Sequence, residues 1–399
     1  MLELLAPAGN LQKLKIAFLY GADSVYVGGE VYGLRASAGN FGPEEMEEGL
    51  KLAHSLGKKL YVTLNIFARN SDLTGIRKYT EELAALGVDG VIVADPGVFT
   101  IVREMAPDLE IHVSTQANTL NSATCSFWKS IGAERVNLAR ELSLQEISEI
   151  SKNTSGLDLE AFVHGAMCMS YSGRCLLSDY MTGRSSNRGE CAHPCRWNYF
   201  LTEEKRPGEY MPVFENERGT FVFNSKDLCM IEHLPEMVSA GINCFKIEGR
   251  VKSEYYTAVV VGAYRLALDS ILSGNYTFDP QWLSELETVS HREYSTGFYL
   301  GTEKKQVYCT SSYSRTADFV GIVLQCDSNG NAVVEQRNKF EAGQVVEVVT
   351  PGPSPAFSFT LVEMKNENGI LIESAPHANM IVHMNIGRYV PQGSIIRRR

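Results

Sequence analysis

The chain reads as an α/β protein: a (β/α)8 TIM-like barrel with a cysteine-bearing insertion before its last strand, followed by a small C-terminal all-β barrel. Three observations predict this. Short β-branched runs alternate with longer amphipathic stretches from the first residues onward. That alternation breaks once, in the long segment between His164 and Cys244. After about residue 310, helical periodicity stops and short strands alternate with Gly, Asn and Pro turns. The boundaries expected are 1–310 for the catalytic barrel, with its insertion at 165–225, and 311–399 for the C-terminal domain.

The barrel strands are predicted at Leu2–Ala6, Ser24–Gly28, Leu60–Asn65, Gly90–Ala94, Ile111–Gln116, Arg135–Arg140, Leu159–His164 and Cys244–Glu248. Between them, Pro43–Leu56, Leu73–Leu86 and Leu144–Ser151 carry apolar residues at three- and four-residue spacing, the mark of a helix with one buried face. Eight strands with intervening helices is the count of a closed parallel barrel. An open doubly wound sheet would ask for G-x-G-x-x-G after the first strand, and none occurs. The insertion predicts a hairpin around Glu215-Asn216-Glu217-Arg218-Gly219. In the tail, strands are expected at Val320–Gln325, Ala332–Glu335, Val345–Val349, Phe357–Glu363 and Met380–His383, with turns such as Ser328-Asn329-Gly330-Asn331.

With 399 residues and 44% hydrophobic content the chain can build a large core. No stretch approaches the roughly 18 apolar residues of a membrane helix, and the N-terminus lacks the basic leader of a signal peptide. A cytoplasmic setting is expected, since nine cysteines in a long chain suit a reducing compartment. A net charge of −10 argues against general coating of nucleic acid, while leaving room for a local basic patch. From Arg315 onward eight Lys/Arg balance eight Asp/Glu, so the excess acid lies in the first 314 residues. The end, Arg397-Arg398-Arg399, reads as a solubilising tail, with RNA contact as the alternative.

Four of the nine cysteines, Cys168, Cys175, Cys191 and Cys195, crowd into one short stretch, with Gly173, Gly183 and Gly189 letting the chain turn between them. The other five are scattered and read as small buried apolar residues. Such a cluster is what a four-thiolate metal centre requires. In the spacing C-x6-C-x15-C-x3-C only the second pair is near the C-x2–4-C of zinc ribbons, and iron–sulfur clusters accept wide, irregular spacing. Zinc and unrelated buried thiols are the other readings. The C-x3-C-x2-C of radical chemistry is absent. Because the cysteines follow a barrel strand, they belong to the C-terminal face, where barrel enzymes do chemistry.

Several polar residues stand at predicted C-terminal strand ends, among them Asn65, Asp95, Gln116, Arg140, Glu141 and His164. His164 lies four residues before Cys168 and is a candidate proton donor, or a satisfied structural histidine. Lys246, Glu248 and Arg250 alternate with period two, so all three point toward the barrel mouth. They form either a buried charge network, with Lys246–Glu248 as one pairing, or an acid–base and anion-binding group. Arg250 is suited to a carboxylate or phosphate, since a guanidinium fork binds both bidentately. Neither H-E-x-x-H nor G-x-S-x-G occurs.

The run Glu160-Ala-Phe-Val-His-Gly-Ala-Met-Cys168-Met-Ser-Tyr-Ser-Gly-Arg-Cys175-Leu-Leu-Ser178 resembles the signature of the collagenase-like U32 peptidase family. Supporting matches are Leu4-Leu-Ala-Pro-Ala-Gly9, Tyr20-Gly-Ala-Asp-Ser-Val-Tyr26, Ser114-Thr-Gln-Ala-Asn118, Arg140-Glu-Leu-Ser143, Asn224-Ser-Lys-Asp-Leu228, Lys246-Ile-Glu-Gly-Arg250 and His291-Arg with Gly297-Phe298. Within that family the chain is similar to the prephenate-dependent tRNA uridine 5-hydroxylation branch, on Arg206-Pro-Gly-Glu-Tyr-Met211 through Asn224-Ser-Lys-Asp227. The resemblance implies a [4Fe-4S] cluster on Cys168, Cys175, Cys191 and Cys195. It also implies hydroxylation at C5 of the anticodon wobble uridine of tRNA, with prephenate as co-substrate. On that reading Arg250, Arg140 or Arg174 holds the prephenate carboxylates, and Gln116 and Asn65 contact substrate. His164, Glu248 and Lys246 are the candidates to move protons. Sister branches act on ribosomal RNA or in ubiquinone synthesis; the peptidase activity of the family name is the other expectation.

Overall fold

Eight parallel strands close the first sheet of the computed structural model: β1 (Glu3–Pro7), β2 (Ser24–Val27), β3 (Lys59–Leu64), β4 (Gly90–Val93), β5 (Glu110–Val113), β6 (Arg135–Asn137), β7 (Asp158–Ala166) and β8 (Cys244–Ile247). Each pairs with its sequence neighbour, and β8 pairs with both β7 and β1, which closes the ring. The order is that of the (β/α)8 barrel, and every predicted strand is present within a few residues of its expected bounds. The structure describes residues 2–33, 39–168, 170–197, 200–202, 210–212, 225–301 and 314–399. The hairpin expected around Glu215–Gly219 lies outside them.

Helices on the barrel include α1 (Leu11–Leu19), α2 (Pro43–Ser55), α3 (Leu73–Leu86), α4 (Pro96–Met105), α5 (Ser122–Ser130) and α6 (Leu144–Asn153). Local chemistry sets their ends. Asp95 caps α4 by accepting from the N–H groups of Gly97 and Val98, with Pro96 at the first helical position. This accounts for Asp95 as a structural cap. Ser143 and Glu146 form a reciprocal capping box on α6. Inside the ring, Leu5, Tyr26, Tyr61, Ile92 and Cys244 pack as an apolar cluster.

The strands also bury charge. Glu3, Arg135, Glu160 and Lys246, two acids and two bases, come from four strands. Lys246 Nζ stands 2.6 Å from Glu160 Oε1. Arg135 donates to Glu3 Oε1 at 2.9 Å, and its guanidinium lies 3.7 Å from Glu160. Burial by itself would raise the Glu160 pKa, but Lys246, Arg135 and His112 together outweigh it and hold the carboxyl below its ordinary value. Cys244 is thus more than a small apolar filler, since its Sγ lies 3.3 Å from Arg135 Nη1.

Between β7 and β8 the chain carries a short helix α7 (Leu177–Thr182), a strand at Asp227–Cys229 antiparallel to β7, and α8 (Leu234–Ser239). The chain divides into two compact units: Met1–Phe18, Ala22–Lys252 and His291–Tyr313 in one, Leu19–Gly21, Ser253–Ser290 and Ser314–Arg399 in the other.

The second unit contains α9 (Glu254–Leu272), α10 (Pro280–Leu286) and seven antiparallel strands. These are β9 (Asp318–Cys326), β10 (Asn331–Gln336), β11 (Val345–Val349), β12 (Phe357–Thr360), β13 (Met364–Asn366), β14 (Ile381–Asn385) and β15 (Ile395–Arg398). They form a half-barrel in the order β12-β11-β15-β9-β10-β14-β13 around a core that includes Val323, Val334, Phe340, Val348 and Val382.

The C-terminal arginines depart from expectation. They are no solvated tail, because β15 lies inside the sheet between β9 and β11. Arg397 is fully buried, with Nη2 donating to Glu285 Oε1 at 2.8 Å and Nε to Glu347 Oε2 at 2.8 Å. Arg398 pairs with Asp318, and Arg399 with Glu285 and Glu347. An alternating strand with acidic neighbours on α10 and β11 neutralises charges that look free in the sequence.

Candidate active site

The C-terminal ends of the barrel strands surround a cavity of about 270 Å³ within the first unit. Its floor and walls include Tyr26, Thr63, Gln116, Asn137, Arg140, Phe162, Lys246, Glu248 and Arg250, and the insertion covers it with Cys168, Cys175, Cys191 and Cys195. All four clustered cysteines therefore face one space.

Local contacts hold the insertion in place. Arg188 makes a two-pronged pair with Asp72 at 2.9 and 3.2 Å and donates to Phe67 O at 3.2 Å. Asn187 Nδ2 donates to Cys175 O, and Cys175 N donates to Asn187 Oδ1. Ser178 Oγ accepts from Ala192 N at 3.0 Å and joins the two halves of the segment. Glu141 accepts from Ser172 N at 2.6 Å and from its hydroxyl at 2.7 Å.

Among the described residues, Cys168, Cys175, Cys191 and Cys195 are all free thiols. Ser170 N–H donates to Cys168 Sγ at 3.4 Å and Leu177 N–H to Cys175 Sγ at 3.3 Å. Backbone donors to sulfur stabilise thiolates and tune iron–sulfur clusters. Surrounding protein raises the Cys168 pKa, Ser170 N–H opposes this, and the nearby Cys175 and Cys191 add to the rise. Among the described residues no three His, Cys, Asp or Glu side chains form a group that could hold a single metal ion. A set of four thiols at one cavity is a donor set that iron–sulfur and zinc centres both accept.

The signature residues Glu160, Phe162, Gly165 and Cys168 each have a physical task. Glu160 neutralises Lys246. The Phe162 ring lies under the Arg140 guanidinium, 3.7 Å from ring centroid to Cζ. Gly165 has φ +107°, and a Cβ there would meet Glu248 O at 2.5 Å, so only glycine lets β7 and the end of β8 approach so closely. Cys168 then turns into the cavity.

Lys246, Glu248 and Arg250 all reach the cavity, as their alternation predicts. Their pairing differs from expectation: Lys246 is held by Glu160, not Glu248. Glu248 lies 3.9 Å from Arg140 Nη2 and accepts from the Tyr26 hydroxyl at 3.4 Å. Arg140 also donates to Ala166 O at 2.9 Å, which fixes its fork. Arg250 is nearly inaccessible and donates to Asn40 Oδ1 at 2.8 Å and Thr63 Oγ1 at 3.4 Å. Gly28 leaves the space it occupies, since a Cβ there would fall 2.1 Å from Arg250 Nη2. Asn65 and Gln116 line the cavity.

His164 and Arg174 stand elsewhere. His164 is buried among Tyr294, Asp227 and His291 and is not a wall of the cavity. Burial is the main cause that pushes its pKa down to about 3. Simple alternation along β7 would give His164 the same face as Phe162 and Ala166, but the β7–β8 pairing is irregular there, stepping from Lys246 opposite Phe162 to Ile247 opposite His164, and that step breaks the alternation. Arg174 is exposed, donating from Nε to Gln116 O at 2.9 Å and lying 5.2 Å from the Phe67 ring centroid.

The sequence reading passed over Asn137 and Tyr26. Asn137 ends β6, buried, and its Oδ1 has no hydrogen-bond partner among the described residues; Gln116 Oε1 is in the same state. Both side chains line the cavity, so a ligand's polar edge would find amides there. The available signal was a lone Asn inside the apolar run Val136-Asn137-Leu138-Ala139.

Compared with known proteins, residues 9–308 match peptidase family U32 and residues 315–397 match the peptidase family U32 C-terminal domain. The chain is 41% identical to tRNA hydroxylation protein P1 of Bacillus subtilis (strain 168), over 99% of this chain and 94% of the relative. It is 39% identical to tRNA hydroxylation protein P of Escherichia coli (strain K12), over 94% and 91%. A 23S rRNA 5-hydroxycytidine synthase of Escherichia coli (strain K12) is 36% identical over 68% of this chain and 40% of its own length. With a family match across most of its length and two such relatives alike over nearly all of it, the chain belongs to peptidase family U32.

Proposed function

We propose that this protein hydroxylates tRNA, at C5 of the anticodon wobble uridine, with prephenate as co-substrate and a [4Fe-4S] cluster held by Cys168, Cys175, Cys191 and Cys195. The observation that carries the reading is the meeting, in one cavity, of the four thiols with the cationic and amide side chains of the barrel mouth. The near full-length likeness to proteins named for tRNA hydroxylation supplies the reaction class.

The cavity suits a small dicarboxylate beside a pyrimidine. Arg140, Lys246, Arg250, Lys252 and Arg292 line it against Glu141 and Glu248, an excess of positive charge in a protein of net charge −10. Lys246 and Arg292 are matched by the buried Glu160 and Asp227, which lie behind them. Arg140 would receive a carboxylate, and Arg250, whose fork already holds Asn40 and Thr63, would add positive charge behind it. Glu248, hydrogen-bonded by Tyr26, is the carboxylate placed to accept or return a proton. The amides of Asn137 and Gln116 would meet the base edge, which has to leave its stack to enter. When bound, the cluster would supply iron and redox-active sulfur at the cavity roof.

The test is deletion of the gene in the source organism, with nucleoside mass spectrometry of total tRNA and rescue by wild type or Cys168→Ala. Loss of 5-hydroxyuridine-derived nucleosides, restored by wild type alone, is the expected result. Iron and sulfide content of the purified variant would fall in parallel. An unchanged tRNA profile beside a loss of hydroxylated ribosomal nucleosides would overturn the tRNA assignment and favour a ribosomal substrate.

A further inference from the structure

The segment that roofs the cavity has an outer side that the reaction leaves unused. Tyr171, Leu176, Tyr180, Met181 and Trp197 are all exposed, Tyr180 by 83% of its surface. Their sequence neighbours Ser172, Gly173, Cys175, Leu177 and Cys195 wall the cavity. Helix α7 shows the division most clearly. Leu177 turns to the cavity and Ser178 is buried, while Leu176 and Tyr180, one helical turn apart, face solvent. Five large apolar side chains this exposed within one 27-residue span are what a contact surface on this segment would use.

The charge of the segment selects the partner. From Cys168 to Trp197 there are four arginines and two carboxylates, in a chain whose net charge is −10. Arg188 is spent on Asp72. Arg174 and Arg184 are exposed, and Arg174 is braced at the rim by Gln116 O. Exposed aromatic rings interleaved in sequence with arginines, beside residues that wall the cavity, are the combination that receives single-stranded nucleic acid, bases on the rings and phosphates on the guanidinium groups.

We infer that Tyr171, Tyr180 and Trp197, with Arg174 and Arg184, form the platform on which an unpaired RNA loop is splayed while one of its bases enters the cavity. The inference rests on the tRNA-modifying reading of the site and adds to it the surface that docks the substrate. A partner protein using the same rings is the competing occupant; with Arg188 spent, Arg174, Arg184 and Arg196 still outnumber Asp179 and Glu190, and that local positive balance in an acidic chain favours RNA.

The experiment compares the full-length wild-type protein with Tyr171→Ala/Tyr180→Ala and with Arg184→Ala, using an anticodon stem–loop RNA with uridine at the wobble position. Tyr389→Ala, an exposed aromatic of the second unit, is the control. The double aromatic variant should bind the RNA roughly tenfold or more weakly, in line with the loss of base stacking. Arg184→Ala should lower the salt dependence of binding by about one unit of slope. Iron and sulfide content should stay at the wild-type level in both, which separates lost docking from a collapsed segment. Wild-type affinity in the double variant, with wild type modifying tRNA, overturns the platform alone. A stoichiometric protein partner lost with Tyr180→Ala, with RNA affinity intact, overturns it in favour of a protein interface. If the wild type neither binds nor modifies tRNA, the parent reading fails, and the platform with it.

Discussion

Lys246 Nζ lies 2.6 Å from Glu160 Oε1, both side chains almost wholly inaccessible, with the ammonium also 4.5 Å from the Tyr26 ring centroid. The pair joins the buried charges inside the barrel to the floor of the cavity. Removing Lys246 leaves Glu160 only the Arg135 guanidinium at 3.7 Å, which Glu3 already shares, and the neighbouring His112. Lys246→Met should destabilise the protein by about 3–5 kcal/mol, and Lys246→Met with Glu160→Leu by much less, because an apolar replacement of both removes the orphaned charge. Denaturant midpoints of the three proteins check this. Equal losses in the single and double variants would mean the pair is not the stabilising unit.

His164 gives a pH signature. Its pKa in the fold is about 3, against an ordinary 6.5, and burial is the main cause. The unfolded chain therefore binds a proton that the fold refuses between these values. Stability should be insensitive to this group above pH 6.5 and fall as pH drops from about 6.5 toward 3, by up to about 1.4 kcal/mol per unit. In His164→Gln the slope over that range should flatten, whatever the change in absolute stability. A slope equal to wild type would show that another group carries the acid sensitivity.

Arg140 should tolerate no lysine. Its guanidinium lies on Phe162, donates to Ala166 O and lies 3.9 Å from Glu248, contacts that need a planar fork. Arg140→Lys keeps the charge, yet should cut 5-hydroxyuridine in tRNA at least tenfold while leaving iron content unchanged. Full modification by the lysine variant would reduce the role of Arg140 to simple charge.

Arg397 tests the second unit. Burial would lower its pKa, but Glu285 and Tyr255 hold it above the ordinary arginine value; Glu347 is its second ion-pair partner. Arg397→Leu should cost about 1–3 kcal/mol, because the partly exposed Glu285 and Glu347 lose their charge-assisted hydrogen bonds to Arg397 and keep only Arg399. Deleting only Arg399, which is partly exposed, should change stability by about 1 kcal/mol or less. Thermal unfolding of the two variants distinguishes a buried strand from a solvated tail, for which neither change would register.

The barrel strands were legible because each is a short apolar run bounded by turns, and period-two and period-3.6 patterns are local properties. The cysteine cluster was legible for the same reason: four thiols crowded between Cys168 and Cys195 are visible without any fold. Alternation also placed Lys246, Glu248 and Arg250 on one side of a strand. Their partners were not legible. Glu160 is 86 residues from Lys246, and Asp227 is 65 from Arg292. Two charges at such separations meet only when strand pairing brings distant parts of the chain together.

The sequence by itself thus determined the kinds of elements, their order, and the presence of a sulfur-rich segment beyond the seventh barrel strand. The tertiary structure decided which charges cancel and which face the cavity. It drew His164 into the wall behind the site, turned Arg174 out to the rim, and added Asn137. It also folded the terminal arginines into a sheet beside Glu285 and Glu347. The physical reason is one of range. Hydrophobic periodicity and turn chemistry act over a few residues, whereas burial and electrostatic pairing depend on distances in space that chain order does not encode.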